Sequence, residues 1–254
     1  MSKVGIFIPI YFREDLVKKS LTDLLKTNFG RLEVFLCLGV NGCSKKFRKE
    51  LDMYKKYYEK RFTFIKIFDE PKNIGKAKII NKMTEECSNF DYMVSMDSDM
   101  QVIDSAWLTK FLTVFNMCHT IMRGQLGALC ANQIGENVHL TEVEGIGRAS
   151  RKISKDYTIV TAKNNNGVAG GVLVTSRDIW RRVGGYKADS IFGSDDGDFM
   201  KSCHAIKKIV AYVEEIKFYH PISDDDNYHD WKVRACDGEL KDDESQGYFE
   251  SLRE

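Results

Sequence analysis

Two carboxylates one residue apart, Asp97 and Asp99, close the apolar run Tyr92-Met93-Val94-Ser95-Met96. Along an extended chain, side chains at i and i+2 point the same way. The pair can therefore aim oxygen ligands at one spot just beyond the carboxyl end of a buried strand, which is where ligands of open α/β sheets bind. Hard divalent cations take carboxylate oxygens and commonly share them with a substrate's phosphates. An Asp-x-Asp pair by itself more often marks a solvated turn, so its meaning depends on the elements that position it.

Those elements alternate. Val4–Ile8 is a short, nearly continuous apolar run, as in a strand buried on both faces, and Pro9 ends it. Arg13-Glu14-Asp15 open a helix with acidic residues in its first turn and an apolar stripe of Val17, Leu21, Leu24 and Leu25, closed by Asn28 to Gly30. Leu32 to Val40 reads as the second strand, ending at Asn41-Gly42. Ser44 caps a helix with Phe47, Leu51, Tyr54 and Tyr58 on one face. Phe62 to Phe68 is the third strand, a helix carrying Ala77, Ile80 and Met83 starts near Asn73, and the Asp91–Met96 strand follows. Strand–helix alternation at this spacing predicts βαβ units and a mainly parallel sheet flanked by helices.

Further along, Ser105 is the expected cap of a helix with Trp107, Leu108, Phe111, Leu112 and Phe115 facing the core, and Leu126 to Ala131 is a strand. Residues 132–166 are polar and weakly periodic, the pattern of loops or short edge hairpins. Gly170 to Val174 returns to strand character, Ser176 caps a helix over Arg177–Val183, and Gly184-Gly185 ends it. Asp195-Asp196-Gly197-Asp198 precede another helix, and Ile209 to Tyr219 holds one or two strands before His220-Pro221. The expected organisation is one domain over 1–221 with an acidic extension or lid over 222–254.

Composition narrows the function classes. With 254 residues and a net charge of +1, the chain suits one large α/β domain and offers no electrostatic case for nucleic acid or an anionic membrane. Its seven scattered cysteines contain no C-x-x-C pair, which argues for reduced thiols in a cytoplasmic protein over zinc or disulfides. A strand beginning at Val4 leaves no room for a signal peptide, and no apolar run approaches the roughly 20 residues of a membrane span. Any membrane contact is expected to be peripheral. Asp97-x-Asp99-x-Gln101 does not continue as an EF-hand, and no Walker loop or Rossmann glycine fingerprint is present.

Several motifs, in order, resemble the GT-A glycosyltransferases, in particular the large inverting group called family 2. Val4–Phe12 resembles the opening strand leading into the nucleotide pocket, and Asn73-Ile74-Gly75-Lys76-Ala77 the N-x-G-x-a element after the third strand. Met96-Asp97-Ser98-Asp99 is similar to the DxD motif. Gly170-Gly171 with Arg177, Trp180 and Gly184-Gly185-Tyr186 resembles the segment flanking the acceptor site. Ser194 to Phe199 resembles the E-D-x-D helix start, and His220 the late histidine of the metal site. The resemblance covers Val4 to about Pro221 and implies the GT-A, or nucleotide-diphospho-sugar transferase, fold.

It also implies an enzyme that moves one sugar from a nucleoside-diphosphate sugar to an acceptor hydroxyl, with inversion. Asp196 matches the general base. Pro9, Tyr11, Arg13, Asn41, Asn73, Lys76, Asp97, Ser98 and Asp99 would line the nucleotide-sugar side; Gly170, Gly171 and Asp195 would line the acceptor side. Asp97, Asp99 and His220 would hold a divalent ion, manganese in preference to magnesium. Asp195 and Asp198 suit either a raised carboxylate pKa or plain helix capping. Where many members carry D-D-G-S, this chain has Val40-Asn41-Gly42-Cys43, which leaves UDP and GDP donors both open. The acceptor stays open among a glycan, a lipid-linked sugar, a small molecule, a protein and a modified nucleobase. The Q-x-x-R-W motif of processive synthases is absent, which favours one sugar per acceptor. Rival readings are a nucleotidyltransferase, disfavoured because Pro9 to Asp15 holds no glycine, a non-catalytic sugar-nucleotide-binding module, and a retaining enzyme on the same fold.

Overall fold

A computed structural model describes residues 1–11, 13–135, 148–162, 170–187 and 195–221. The extension over 222–254 lies outside the described residues. The elements in chain order are β1 (Lys3–Ile10), α1 (Glu14–Leu24), β2 (Glu33–Asn41), α2 (Lys45–Tyr58), β3 (Phe64–Glu70), α3 (Lys76–Glu86), β4 (Tyr92–Met96), β5 (Gln101–Val102), α4 (Trp107–Ile121), β6 (Leu126–Ile134), β7 (Arg148–Lys152), β8 (Thr158–Ala162), β9 (Val172–Ser176), α5 (Arg177–Val183), α6 (Asp195–Ala205) and β10 (Ile209–Tyr219).

The strands form one ten-stranded sheet in the order β3-β2-β1-β4-β9-β6-β10-β8-β7, with β5 paired to β10. From β3 to β4 every pairing is parallel. Beyond β4 the sheet is mixed, because β9 runs antiparallel to both β4 and β6, while β6 and β10 are parallel. The polar region after residue 132 contributes the edge hairpin β7–β8. The pairing of β10 with β6 skips between Val213 and Lys217, a bulge at which the Asn132 side-chain amide donates to the Glu214 carbonyl at 3.0 Å.

Alternation along the strands divides the core in two. Val4, Ile6, Ile8 and Ile10 face α1, α2 and α4 on one side, and Phe7 and Cys37 face α3, α5 and α6 on the other. A right-handed crossover from β1 to β2 and on to β3 leaves α1 and α2 on one face. The chain then returns past β1 to β4, which sends α3 over the opposite face. This reversal opens a crevice between the carboxyl ends of β1 and β4, the switch point at which open α/β sheets bind ligands. Because β9 is antiparallel to β4, with Val172 opposite Met96, its amino end arrives at the same rim.

Two local expectations are corrected. The N-cap position of α4 is Ala106, without a side-chain cap, and not Ser105; the Asp104 carboxylate accepts the Ala106 amide at 2.9 Å just before it. The helix α3 begins at Lys76 behind Gly75, whose φ of 91° fits only glycine readily, three residues after Asn73.

Candidate active site

The crevice floor is the turn that follows β4. The Asp97 amide donates to the Gly171 carbonyl at 2.7 Å, the Met100 amide to the Asp97 carbonyl at 3.1 Å, and the Ser20 hydroxyl of α1 to the Met100 carbonyl at 2.6 Å. The chain therefore turns at Ser98 and Asp99, which corrects the expectation that it stays extended there. Each Asp meets a different cation.

Asp99 faces the α1 side. The Arg13 guanidinium donates to its Oδ2 at 2.6 Å, with the two side chains only 8% and 13% exposed, and His220 Nε2 lies 3.4 Å from the same oxygen. Arg13 reaches it from a left-handed backbone conformation (φ 54°) at the start of α1. His220 arrives from the end of β10, held by its amide on the Ile134 carbonyl at 2.8 Å. Burial pushes the Asp99 carboxyl up, but the His220 contact and the positive charges of His220 and Arg13 outweigh it, so the net shift is downward.

Asp97 faces the α3 side. Lys76 Nζ lies 2.8 Å from Asp97 Oδ1 and 3.2 Å from each carboxylate oxygen of Asp196. Burial raises the Asp97 carboxyl; Lys76 opposes that, and the negative charges of Asp196 and Asp99 add to it, leaving the group above the ordinary carboxylate range. For Lys76 burial works downward, but Asp196 and Asp97 hold the ammonium well above its usual value.

Asp196 stands at the second position of α6 against the α-carbon of Gly170. A side chain on Gly170 would overlap the Asp196 carboxyl group, and one on Gly171 would overlap the Gln133 amide and crowd Met100. Both glycines are buried. Asp195 begins α6, and its side chain is outside the described residues. Asp198 pairs with Lys201 at 2.8 Å one turn on, the contact of a helix-end acid.

Asn41 and Asn73 pair with each other. The Asn41 amide nitrogen donates to Asn73 Oδ1 at 2.6 Å, its oxygen accepts the Ile74 amide at 2.8 Å, and Asn73 Oδ1 also accepts the Gly75 amide at 2.9 Å. Both side chains, buried to 2% and 9% exposure, thus brace the loop that presents Lys76. Pro9, Tyr11 and Ser98 are half-buried, Pro9 paired with Gly39 across β1 and β2, Tyr11 just after β1 and Ser98 in the turn after β4.

Tyr186 was not singled out from its residue type. Its ring lies 5.9 Å from Lys76 Nζ and packs on Trp180 and Phe199, 5.1 Å and 5.6 Å between centroids. Burial, with Asp196 adding, pushes its phenol well above the ordinary value. The only sequence signal was its place after Gly184-Gly185.

Among the described residues no three His, Cys, Asp or Glu side chains converge closely enough to cage an ion alone. The donor set still fits a shared site. His220 Nε2 and Asp99 Oδ2 stand side by side, His220 Nδ1 is buried without a hydrogen-bond partner, and burial with Asp196 and Asp99 nearby raises the Asp97 carboxyl despite Lys76. Divalent ions held by one or two carboxylates complete their shell with substrate phosphates.

Residues 5–125 match the family described as glycosyl transferase family 2. No curated protein sequence matches the chain. Among solved structures, the chain is similar to the mannosyltransferase PcManGT from Pyrobaculum calidifontis in complex with GDP-Man and Mn2+, at 15% identity and a TM-score of 0.66 over 92% of this chain and 60% of that one. It is similar to TarS of S. aureus in complex with UDP, at 17% identity and a TM-score of 0.61 over 96% of this chain and 68% of that one. GalNAc-T7 with UDP, GalNAc and Mn2+ aligns at 11% identity and a TM-score of 0.64 over 87% of this chain and 44% of that one. The chain thus spans about 60% of the length of PcManGT. At these identities the likeness establishes the fold, GT-A. No helix among the described residues is long and apolar enough to cross a membrane.

Proposed function

We propose that this chain, of the GT-A fold and the glycosyl transferase family 2 type, transfers one sugar from a nucleoside diphosphate donor to an acceptor hydroxyl, with inversion and with Asp196 as general base. The observation that carries the reading is the crevice at the β1/β4 switch point. There Lys76 bridges Asp97 and Asp196, while Arg13 and His220 both reach Asp99.

Asp97, Asp99 and His220 would hold a divalent ion with the donor's diphosphate, and the Mn2+ in the complexes of PcManGT and GalNAc-T7 favours manganese. Such an ion supplies Lewis-acid stabilisation of the charge that develops on the leaving diphosphate. Arg13, beside Asp99, and Lys76, beside Asp97, add positive charge for the diphosphate, worth most where water is excluded. GDP-Man, UDP and UDP-GlcNAc in the similar structures support a UDP- or GDP-linked donor. Asn41 and Asn73 serve the nucleotide by bracing the loop before α3, and Pro9, Tyr11 and Ser98 border it.

On the acceptor side, Asp196 accepts the hydroxyl proton as the oxygen attacks the anomeric carbon from the face opposite the diphosphate. Gly170 and Gly171 keep that approach free of side chains, and Asp195 sits beside the base in sequence. The sugar passes to one hydroxyl per turnover.

A thermal-shift panel of nucleoside diphosphates and sugar nucleotides, with and without Mn2+, tests the reading. Binding to the folded state raises the melting temperature in step with ligand concentration over its dissociation constant. Stabilisation by one nucleotide series that depends on Mn2+ supports it; no stabilisation by any of them overturns it.

A further inference from the structure

The Lys76 ammonium has three N–H groups, and three carboxylate oxygens surround it: Oδ1 of Asp97 at 2.8 Å and both oxygens of Asp196 at 3.2 Å. One cation thereby occupies a metal-ligand candidate and the base candidate together. We propose that Lys76 is a resident counter-ion, which competes with the divalent cation for Asp97 and covers Asp196 until a bound diphosphate draws it away. This rests on the function proposed above and concerns the state of the base before a diphosphate is bound.

The side chain and its position suit that role. Lysine is a point charge on a flexible stem, whereas arginine holds a fixed fork. Among the described residues, Arg13 stands on Asp99 with 8% of its side chain exposed, and Lys76 bridges with 22% exposed. Lys76 is also the first residue of α3, an eleven-residue helix whose N-terminus is the positive end of its dipole. A cation there is unfavourable unless anions face it. Asp97 and Asp196 are those anions in the free protein, and a diphosphate is the stronger one, since helix N-termini favour phosphate. When Lys76 follows the diphosphate, both Asp196 oxygens lose their ammonium contact and become able to accept a proton. A site without donor keeps its base paired, which disfavours water as acceptor.

The test is Mn2+ binding to the full chain without nucleotide, read from the electron paramagnetic resonance signal of the free ion. Lys76→Met keeps the stem and removes the charge, and Lys76→Gln is a second neutral replacement in case the first folds poorly. The proposal predicts that a neutral variant binds Mn2+ about tenfold more tightly than wild type, the scale of one partly exposed ion pair in close surroundings. Adding Asp97→Asn should abolish the gain. Equal or weaker Mn2+ binding by both neutral variants overturns the counter-ion role. Nucleotide binding by the wild type in the presence of Mn2+ separates the two failures. If wild type binds nucleotide and the variants show no gain, only the counter-ion role falls; if neither ion nor nucleotide binds any form, the functional reading falls with it.

Discussion

The carboxyl group of Asp196 lies so close over the α-carbon of Gly170 that a single added methyl group there would overlap it. Gly170→Ala is therefore expected to push Asp196 away from Lys76 and from the acceptor approach. Because misplacing a reacting group by about 1 Å can cost on the order of 100-fold in rate, turnover should fall by one to two orders of magnitude, roughly. Donor binding should change less than turnover, since the contacts of Arg13 with Asp99 and of Lys76 with Asp97 are kept. Steady-state kinetics with donor and acceptor varied separately checks this.

Asp97→Asn should abolish transfer and leave the ligand-free protein at least as stable as wild type. A carboxyl whose folded pKa is raised favours folding when protonated, so its contribution is fully present below the unfolded pKa and declines as pH rises towards the folded value. Burial together with Asp196 and Asp99 raises Asp97 despite Lys76. At pH 7 the wild type bears that penalty and the Asn variant does not. For a domain of this size 1 kcal/mol moves the melting temperature by about 2–4 °C. Melting curves at pH 7 and at progressively lower pH should show the advantage of the variant shrinking as pH falls through the raised pKa.

How much of this was legible before the structure depends on the range of the interaction. The apolar run ending at Asp97 marked β4 and its carboxyl end, because strand burial and chain direction are local signals. The glycine pair at 170 and 171 was legible as the start of a strand, though not that the Asp196 carboxyl lies against Gly170. Asn41 illustrates what sequence does not carry. As a polar residue after a strand it looked available to a ligand, yet it is bonded to Asn73, 32 residues away, and buried. The turn at Ser98 and Asp99 was hidden for a similar reason, since one hydrogen bond from Met100 to the Asp97 carbonyl decides between an extended chain and a turn. Tyr186 meets Lys76 only because α5, α6 and α3 share one face of the sheet.

Asn81→Ala should disturb the site from behind. Its side chain donates to the Tyr186 carbonyl at 2.8 Å and accepts the Tyr186 amide at 3.0 Å. Leaving such a backbone group unpaired is expected to cost about 1–3 kcal/mol for each of the two. Chemical denaturation should report that loss, and transfer should weaken as the Tyr186 ring shifts under Lys76.

His220→Ala should weaken Mn2+ and nucleotide binding together while leaving the fold intact, since the His220 ring makes its one described side-chain polar contact with Asp99. Loss of a single nitrogen donor from a shared site should lower ion affinity by about 10- to 100-fold. Mn2+ titration in the presence of a saturating nucleoside diphosphate measures it.

The most direct measurement is nucleoside diphosphate release from a panel of UDP- and GDP-sugars with Mn2+, run on wild type, Asp97→Ala and Asp196→Asn. Metal-dependent release by the wild type from one donor is predicted, lost in Asp97→Ala and strongly reduced in Asp196→Asn, with both variants folded. Release that persists at the wild-type rate in both variants would contradict the account.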